Sequence, residues 1–421
     1  QYTKKTRFCF KMIFELKKFE IKDLPTNIIW AVSILTVIGL LVLKSISQHH
    51  IGTILGNPFS KQILFMVPAI ISTIIIIFIP KYIIHKYAYL IYVFGIIIVL
   101  LPFLGKSHAG TYRWLDIGLP FALQPSEFAK IFTTIALARY LSDHNLKMKL
   151  VTSTIFPIIM VLIPTVIVLK QPDLGTAIVM IVPVLPMLYW AGARPFYLFL
   201  FLAPLFSMLT AFHTIAFTIW AIILGLTIFI ARPKLLLSLL LFFGNIFIGL
   251  LSPILWNSLS AYQQNRVLTF INPDKDPLGA AYQIIQSKTA IGSGGLFGKG
   301  WGAGTQTHLN FLPVQESDFI LSVIGEELGF ITISIVLLVF GYFISQIMKK
   351  SYLSNDRFSS LALVGFATIL LSHVFVNTAM TVGLIPVKGL PLPFISAGGS
   401  FLISSYFMLG LILNLSINYS D

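Results

Sequence analysis

A chain of 421 residues that is 57% hydrophobic and only 10% charged has too little polar surface to coat a water-soluble domain of its size, so composition excludes an ordinary soluble enzyme. A single cysteine, Cys9, excludes an internal disulfide. The net charge of +14 needs no nucleic-acid partner, because the basic residues concentrate on one side of the membrane topology derived below, seven of them between Lys4 and Lys22.

In chain order, apolar runs predict spans near 27–43, 62–79, 87–104, 126–142, 151–169, 174–192, 195–211, 213–231, 235–256, 319–346, 358–383 and 396–417. Each approaches the length at which a helix crosses about 30 Å of hydrocarbon. Helices are required because lipid cannot satisfy open backbone groups. The predicted fold is therefore an all-α polytopic transmembrane bundle of about twelve helices. A basic cytoplasmic segment over 1–25 precedes the membrane domain over 26–421, which carries one long extracytoplasmic loop at 257–317. Residues 8–22 alternate Phe10, Ile13, Phe14, Leu16 and Phe19 with Lys11, Glu15, Lys17 and Lys18, suiting either a helix in the inner headgroup layer or a plain basic tail. The first apolar run is too long for a signal peptide and no small-residue cleavage pattern follows it, so it is expected to stay attached. The lysine and arginine distribution puts both termini in the cytoplasm.

Under that orientation nine acids lie on the outer side: Asp116, Glu127, Asp173, Asp274, Asp276, Glu316, Asp318, Glu326 and Glu327. Ionisable groups at a membrane boundary are costly and usually face a cavity with partners. The first polar cluster, YRWLDIGLPFALQPSEFAK at 112–130, places Glu127 and Lys130 on one helix face, either as a local structural tie or with Lys130 reaching a carboxylate on another helix and helping to bind an anionic ligand. KQPDLG at 170–175 reads most simply as turn chemistry with Asp173 as a helix cap. The glycines of GSGGLFGKGWGAG (292–304) fail the phosphate-loop pattern, with Ser293 at the first glycine position and Gly300 at the magnesium-ligand position, and suggest tight turns beside a cleft. Asp318 follows at the mouth of a span, where it suits a general base with access to water and a lipid-borne substrate, or equally a helix N-cap. Prolines and glycines in GLIPVKGLPLPFISAGGS (383–400) would break a helix, which a membrane tolerates only against protein or a cavity, with Lys388 at its edge. His308 and His373 show no metal-ligand spacing and are expected to pack.

Together these blocks resemble the SEDS family of peptidoglycan glycosyltransferases, which includes RodA and FtsW. The resemblance runs from about Trp30 to Leu413 through RWLDIGLPFALQPSEFAK, QPDLGTA, NPDKDPLGAAYQIIQSK, GTQTHLNFLPVQESDFI, IGEELG and PLPFISAGGS, in the family's order. GTQTHLNFLP and DPLGAAYQIIQSKTAIGSGG look more like RodA, whereas Lys388 matches a lysine more typical of FtsW. The chain departs from the family pattern at Val314, Glu316-Ser317 and Ala397, and has room for four spans between Gly175 and Tyr262 where the family commonly has two.

The resemblance implies an inverting glycosyltransferase that polymerises lipid II, a disaccharide-pentapeptide on undecaprenyl pyrophosphate, into β-1,4-linked glycan at the outer face of the bacterial inner membrane, in cell elongation and cell-shape maintenance. It maps the catalytic aspartate onto Asp318. Arg113 and Lys130 would bind pyrophosphate or hold Asp318 ionised, and Glu127, Tyr282, Gln283, Lys388 and Ser396 would line the substrate cavity. A class B penicillin-binding protein is the implied partner. No cofactor is evident, and a divalent cation would have no visible ligand set. A lipid II flippase is the rival from another class, disfavoured because the polar residues crowd the outer half without a matched pair of interrupted helices.

Overall fold

The computed structural model describes residues 24–49, 57–105, 111–116, 122–143, 151–258, 264, 268, 281–309 and 311–417. The basic segment read over 1–25 lies almost wholly outside them, as does the part of the long loop between 257 and 281 apart from isolated positions. Helices occupy all twelve predicted spans: α1 (Thr26–Ile46), α2 (Pro58–Ile77), α3 (Lys81–Leu100), α4 (Pro125–Asp143), α5 (Val151–Lys170), α6 (Leu174–Ile181) continued by α7 (Val184–Trp190), α8 (Pro195–Thr210), α9 (Thr214–Ala231), α10 (Leu235–Ser258), α13 (Ile320–Tyr352), α14 (Arg357–Thr381) and α15 (Gly399–Ser416). The loop before α13 carries α11 (Tyr282–Gly294) and the single turn α12 (Thr305–His308). Eight of the helices are long and apolar enough to cross a membrane outright, and shorter apolar helices accompany them. The chain is a multi-pass membrane protein built almost entirely of helices.

Local chemistry sets the helix limits. Asn57 caps α2, accepting from the Phe59 and Ser60 amides at 3.0 and 3.4 Å, with Pro58 in the first turn. Asp356 caps α14 through the Phe358 and Ser359 amides. α2 and α3 begin four and six residues before the apolar runs suggested, because Lys61, Lys81 and Lys86 sit in or near first turns, where long basic side chains are tolerated at a membrane edge.

α14 and α15 form the centre of the bundle, whereas α9 and α10 are peripheral: 83% of the central apolar window of each of the first pair is buried against 17% for each of the second. α8, α9 and α10 gather a satellite core of Ala203, Trp220, Leu224 and Ile228 with Phe196, Phe199, Leu200, Leu241 and Phe242. Its buried polar groups pair internally, Trp220 Nε1 donating to Ser207 Oγ at 2.8 Å and Ser207 to Asn245 Oδ1 at 3.4 Å. α8, α9 and α10 thus form a unit with a small core of its own.

Two non-helical stretches run through the interior at one end of the bundle. Residues 388–398 join α14 to α15, with Leu390, Leu392, Phe394, Ile395 and Ser396 all buried. Residues 311–319 lead into α13, which rises for nine residues before Gly329, in a left-handed conformation (φ 82°), breaks it. Glu327 meets Ser45 at the end of α1, whereas Ile395, beside the 317–318 stretch, packs on Gly39, six residues or about 9 Å deeper in α1. The chain therefore dips into the bundle before Asp318, climbs back along 320–328, turns at Gly329 and descends again. No side chain fits at Gly39: a Cβ would stand 2.7 Å from Ile395 Cα and O. Gly39→Val should lower the thermal midpoint in detergent by the equivalent of about 1–3 kcal/mol, the usual cost of overpacking a rigid contact, measurable by fluorescence-detected unfolding; an unchanged midpoint would mean that the 388–398 segment is not seated as described.

Candidate functional site

Asp318 stands where the two non-helical stretches meet. Their backbone polar groups are out of reach of a regular helix ladder, and side chains from neighbouring helices satisfy them. Asn377 of α14, fully buried, donates through Nδ2 to the carbonyls of both Asp318 and Leu390, each at 2.8 Å. Ser396 Oγ donates to the Ser317 carbonyl at 2.6 Å and accepts from the Leu392 amide at 2.9 Å. The Ala397 amide reaches the Glu316 carbonyl at 2.8 Å, and Gln62 of α2 donates to the Ser396 carbonyl at 3.1 Å. Each stretch also holds one non-glycine residue in left-handed backbone, Val314 (φ 56°) and Phe394 (φ 65°), a strained state costing about 1–3 kcal/mol that clusters at ligand sites.

The Asp318 side chain is half-buried, and Gly389 faces it so closely that a Cβ there would lie 3.3 Å from Oδ2. Burial, reinforced by the like charge of Glu316, raises its pKa from 3.8 to about 6, against a lowering contribution from the Ser317 hydroxyl, 3.3 Å from Oδ1. Asp318 is not an N-cap of α13: Phe319 occupies that place without a side-chain cap, and the Asp318 amide bonds to the Val314 carbonyl.

A second polar group lies deeper, between α4 and α14. Lys130 Nζ donates to Glu127 Oε2 at 2.6 Å and to His373 Nε2 at 2.8 Å, all three side chains being buried. An ammonium can only donate, so His373 Nε2 is the acceptor and the ring proton sits on Nδ1, which donates to the Pro391 carbonyl at 3.2 Å. Ser404 adds a weak contact to Glu127 at 3.4 Å. His373, expected to serve only as packing, is thus the bridge between Lys130 and the 388–398 segment, two residues from Gly389. His308 stands with Nε2 3.2 Å from Glu327 Oε1, an ion pair whenever the ring is protonated.

Arg113 holds the backbone carbonyls of Gln171, at 3.1 Å, and Pro172. That turn ends at Asp173, which caps α6 through Thr176 and accepts from Gln124 at 2.8 Å, as the capping interpretation expected. Gly175, just beyond, packs against the Lys388 carbonyl, so the turn supports the same irregular segment from beneath. Among the described residues no hydrogen bond or ion pair joins Arg113 or Lys130 to Asp318. In this conformation the two cations therefore do not hold the aspartate ionised. Tyr282 and Gln283 open α11, Gln283 lying one turn before Ser287, whose hydroxyl joins Ser322 of α13 at 2.7 Å and the Thr381 carbonyl at 2.6 Å. Among the described residues no three or more His, Cys, Asp or Glu side chains converge as a metal site.

Asn377 and Gln62 escaped the sequence reading. The signal existed for Asn377: His373 and Asn377 are four apart on one face of an otherwise apolar span, and polar groups inside a span mark function more often than packing.

Comparison with known proteins identifies the family. The profile of the family described as "Cell cycle protein" (FtsW, RodA, SpoVE) matches residues 25–221 and 215–421. The chain is 32% identical to the peptidoglycan glycosyltransferase MrdB of Escherichia coli K12, over 93% of this chain and 92% of that one. It is 34% identical to the probable peptidoglycan glycosyltransferase FtsW of Trichlorobacter lovleyi, over 76% of this chain and 72% of that one. In fold it is similar to a chain of a peptidoglycan synthase complex that coordinates polymerization and crosslinking (TM-score 0.70, 24% identity, 93% and 97% of the two chains) and to the rod shape determining protein RodA of Thermus thermophilus (TM-score 0.62, 22% identity, 94% and 98%). The protein is a member of the FtsW/RodA/SpoVE family of polytopic membrane proteins.

The raised pKa of Asp318 makes a stability prediction. A carboxyl with a higher pKa in the fold than in the unfolded chain loses stability as pH climbs from about 4 through about 6, because the unfolded form ionises first. Asp318→Asn should therefore be more stable than the parent above pH 7, by on the order of 3 kcal/mol at most, with the gap closing toward pH 4. Paired thermal unfolding curves at the two pH values check this; a variant less stable at pH 8 would mean that the carboxylate is better solvated or paired than its burial indicates.

Proposed function

We propose that this chain is a peptidoglycan glycosyltransferase that polymerises lipid II at the outer face of the bacterial cytoplasmic membrane, with Asp318 as general base. The observation that carries the proposal is Asp318 itself: a half-buried carboxylate of raised proton affinity, fixed at the junction of two interior non-helical stretches, in a family whose relatives are named peptidoglycan glycosyltransferases. The blocks GTQTHLNFLP and DPLGAAYQIIQSKTAIGSGG, which look more like RodA than FtsW, support the elongation role over division, and with it cell-shape maintenance.

Orientation follows from charge. Lys86, Arg139, Arg194, Arg232, Lys234, Lys349, Lys350 and Arg357 lie at helix ends opposite to Asp318, and the positive-inside rule makes that end cytoplasmic. Asp318 then opens to the outer leaflet and the water beyond, where a lipid-borne sugar and its growing partner strand would meet. Asp318 takes the proton of the acceptor 4-hydroxyl as that oxygen bonds to C1 of the donor. The bond from C1 to the pyrophosphate breaks with inversion, and undecaprenyl pyrophosphate leaves. Lys388, beside Gly389, with Arg113 and Lys130 supplies positive charge for that leaving group, and a cation in a poorly hydrated site stabilises developing negative charge far better than in water. Glu127, Tyr282, Gln283 and Ser396 complete the lining, Ser396 chiefly by fixing the Ser317 carbonyl. A class B penicillin-binding protein is the expected partner, consistent with the synthase complex whose chain shares this fold.

The test uses purified protein with such a partner, labelled lipid II in detergent, and a gel that resolves glycan chains. Parent protein should form polymer and Asp318→Asn none, while the variant still folds. Substrate crossing a liposome membrane without polymer would favour the flippase instead. Lys130→Met alone should cost about 3–5 kcal/mol, since Glu127 is left buried and unpaired. The double change Glu127→Gln with Lys130→Met should recover most of that stability but not the activity; polymer returning with stability would reduce the lysine to a structural tie.

A further inference from the structure

The glycine-rich stretch after α11 ends in a tip that the proposed chemistry does not use. Its apolar side chains point outward, Leu296 at 61% and Phe297 at 80% exposure. They are held there by the backbone. The Phe330 amide bonds to the Gly295 carbonyl at 3.0 Å, and the Ile331 amide to the Leu296 carbonyl at 3.2 Å. On the other side of the tip, the Gly298 amide bonds to the Gly294 carbonyl at 2.8 Å, and the Lys299 and Gly300 amides to the carbonyls of Glu326 and Glu327 at 2.9 and 3.0 Å. Lys299 Nζ is fastened to Glu326 Oε1 at 2.8 Å, and Glu326 in turn accepts from the Gln306 and Thr307 amides. With both ends pinned, Leu296 and Phe297 cannot fold under the loop.

What covers them follows from their neighbours. Phe330 (56% exposed) and Ile331 (42%) continue the patch onto α13, and Ile335, Leu338 and Tyr342, spaced i, i+4, i+7 and i+11 from Ile331, carry it down one exposed face of a membrane-crossing helix. No charged residue occurs in 294–298 or 328–338. An apolar strip with no polar boundary between loop and span has one solvent along its length. We infer that the tip at 295–298 is an anchor seated in the lipid bilayer, its Leu296 and Phe297 side chains entering the acyl-chain boundary beside the head of α13. The loop that clasps Glu326 is then held by the membrane on one side and by α13 on the other. Because the lipid-facing surface of α13 is common ground for any multi-pass arrangement, the inference does not depend on the enzymatic proposal.

Site-directed spin labelling tests it directly. Cys9→Ser removes the single native thiol, and Phe297→Cys, or Leu296→Cys as a second position, receives a nitroxide after reconstitution in phosphatidylethanolamine/phosphatidylglycerol vesicles. Leu338→Cys supplies the lipid reference and Asn355→Cys, in the exposed turn between α13 and α14, the water reference. Collision with oxygen, which concentrates in hydrocarbon, is compared with collision with a water-soluble nickel chelate. A label at 297 that resembles 338, with oxygen favoured, supports the anchor. One that resembles 355 puts the tip in water and overturns it. Protection from both reagents means that protein covers the tip, a second copy or a partner, and overturns it equally.

Discussion

The site rests on keeping non-helical backbone satisfied where there is no water to do it. An unpaired amide or carbonyl in hydrocarbon costs several kcal/mol, and two irregular stretches cross the interior of this bundle. Asn377, Ser396, Gln62 and His373 meet that demand with single side chains that each reach one or two carbonyls. The same bonds that make the stretches tolerable also define where Asp318 stands. Stability and placement of the carboxylate are one problem here, with one set of residues.

Electrostatics divides the site into two levels. At the upper level, one helix turn above His373 along α14, Asp318 carries no ion-pair partner among the described residues, and burial raises its pKa to about 6. Deeper in, Lys130 and Glu127 neutralise one another, and neutral His373 relays from the lysine to the Pro391 carbonyl. The pair is therefore poised: its lysine is charged but occupied, and an anionic group arriving near residues 388–391 would compete with Glu127 for it. In the proposed reaction Asp318, with no ion-pair partner among the described residues, would take a proton at a pH where an ordinary surface aspartate is too weak a base.

Much of this was legible in the residues. Apolar run lengths place helices at all twelve predicted positions among the described residues, eight of them long and apolar enough to cross a membrane, and the proline and glycine content of 383–400 marks an interrupted helix. Helix starts were less legible at α2 and α3, where lysines belong to the first turn. The tertiary tie of Asn377 to two carbonyls 59 and 13 residues away in sequence could not be derived from spacing. The same holds for the pairing of Lys130, because i, i+3 geometry allows the Glu127 tie without excluding a cross-helix carboxylate; the structure shows the Glu127 tie, and the group that Lys130 meets on another helix is a histidine, His373, and not a carboxylate. Asp318 as a cap was an equally good interpretation until the backbone showed the bend ahead of α13.

If Asp318 is the base and burial sets its proton affinity, the single-turnover rate of glycan formation from lipid II, measured between pH 5 and 8 with substrate saturating, rises with pH on a single ionisation near 6 and then levels. A rate that is flat across that range, or that falls as pH rises through 6, would contradict that role.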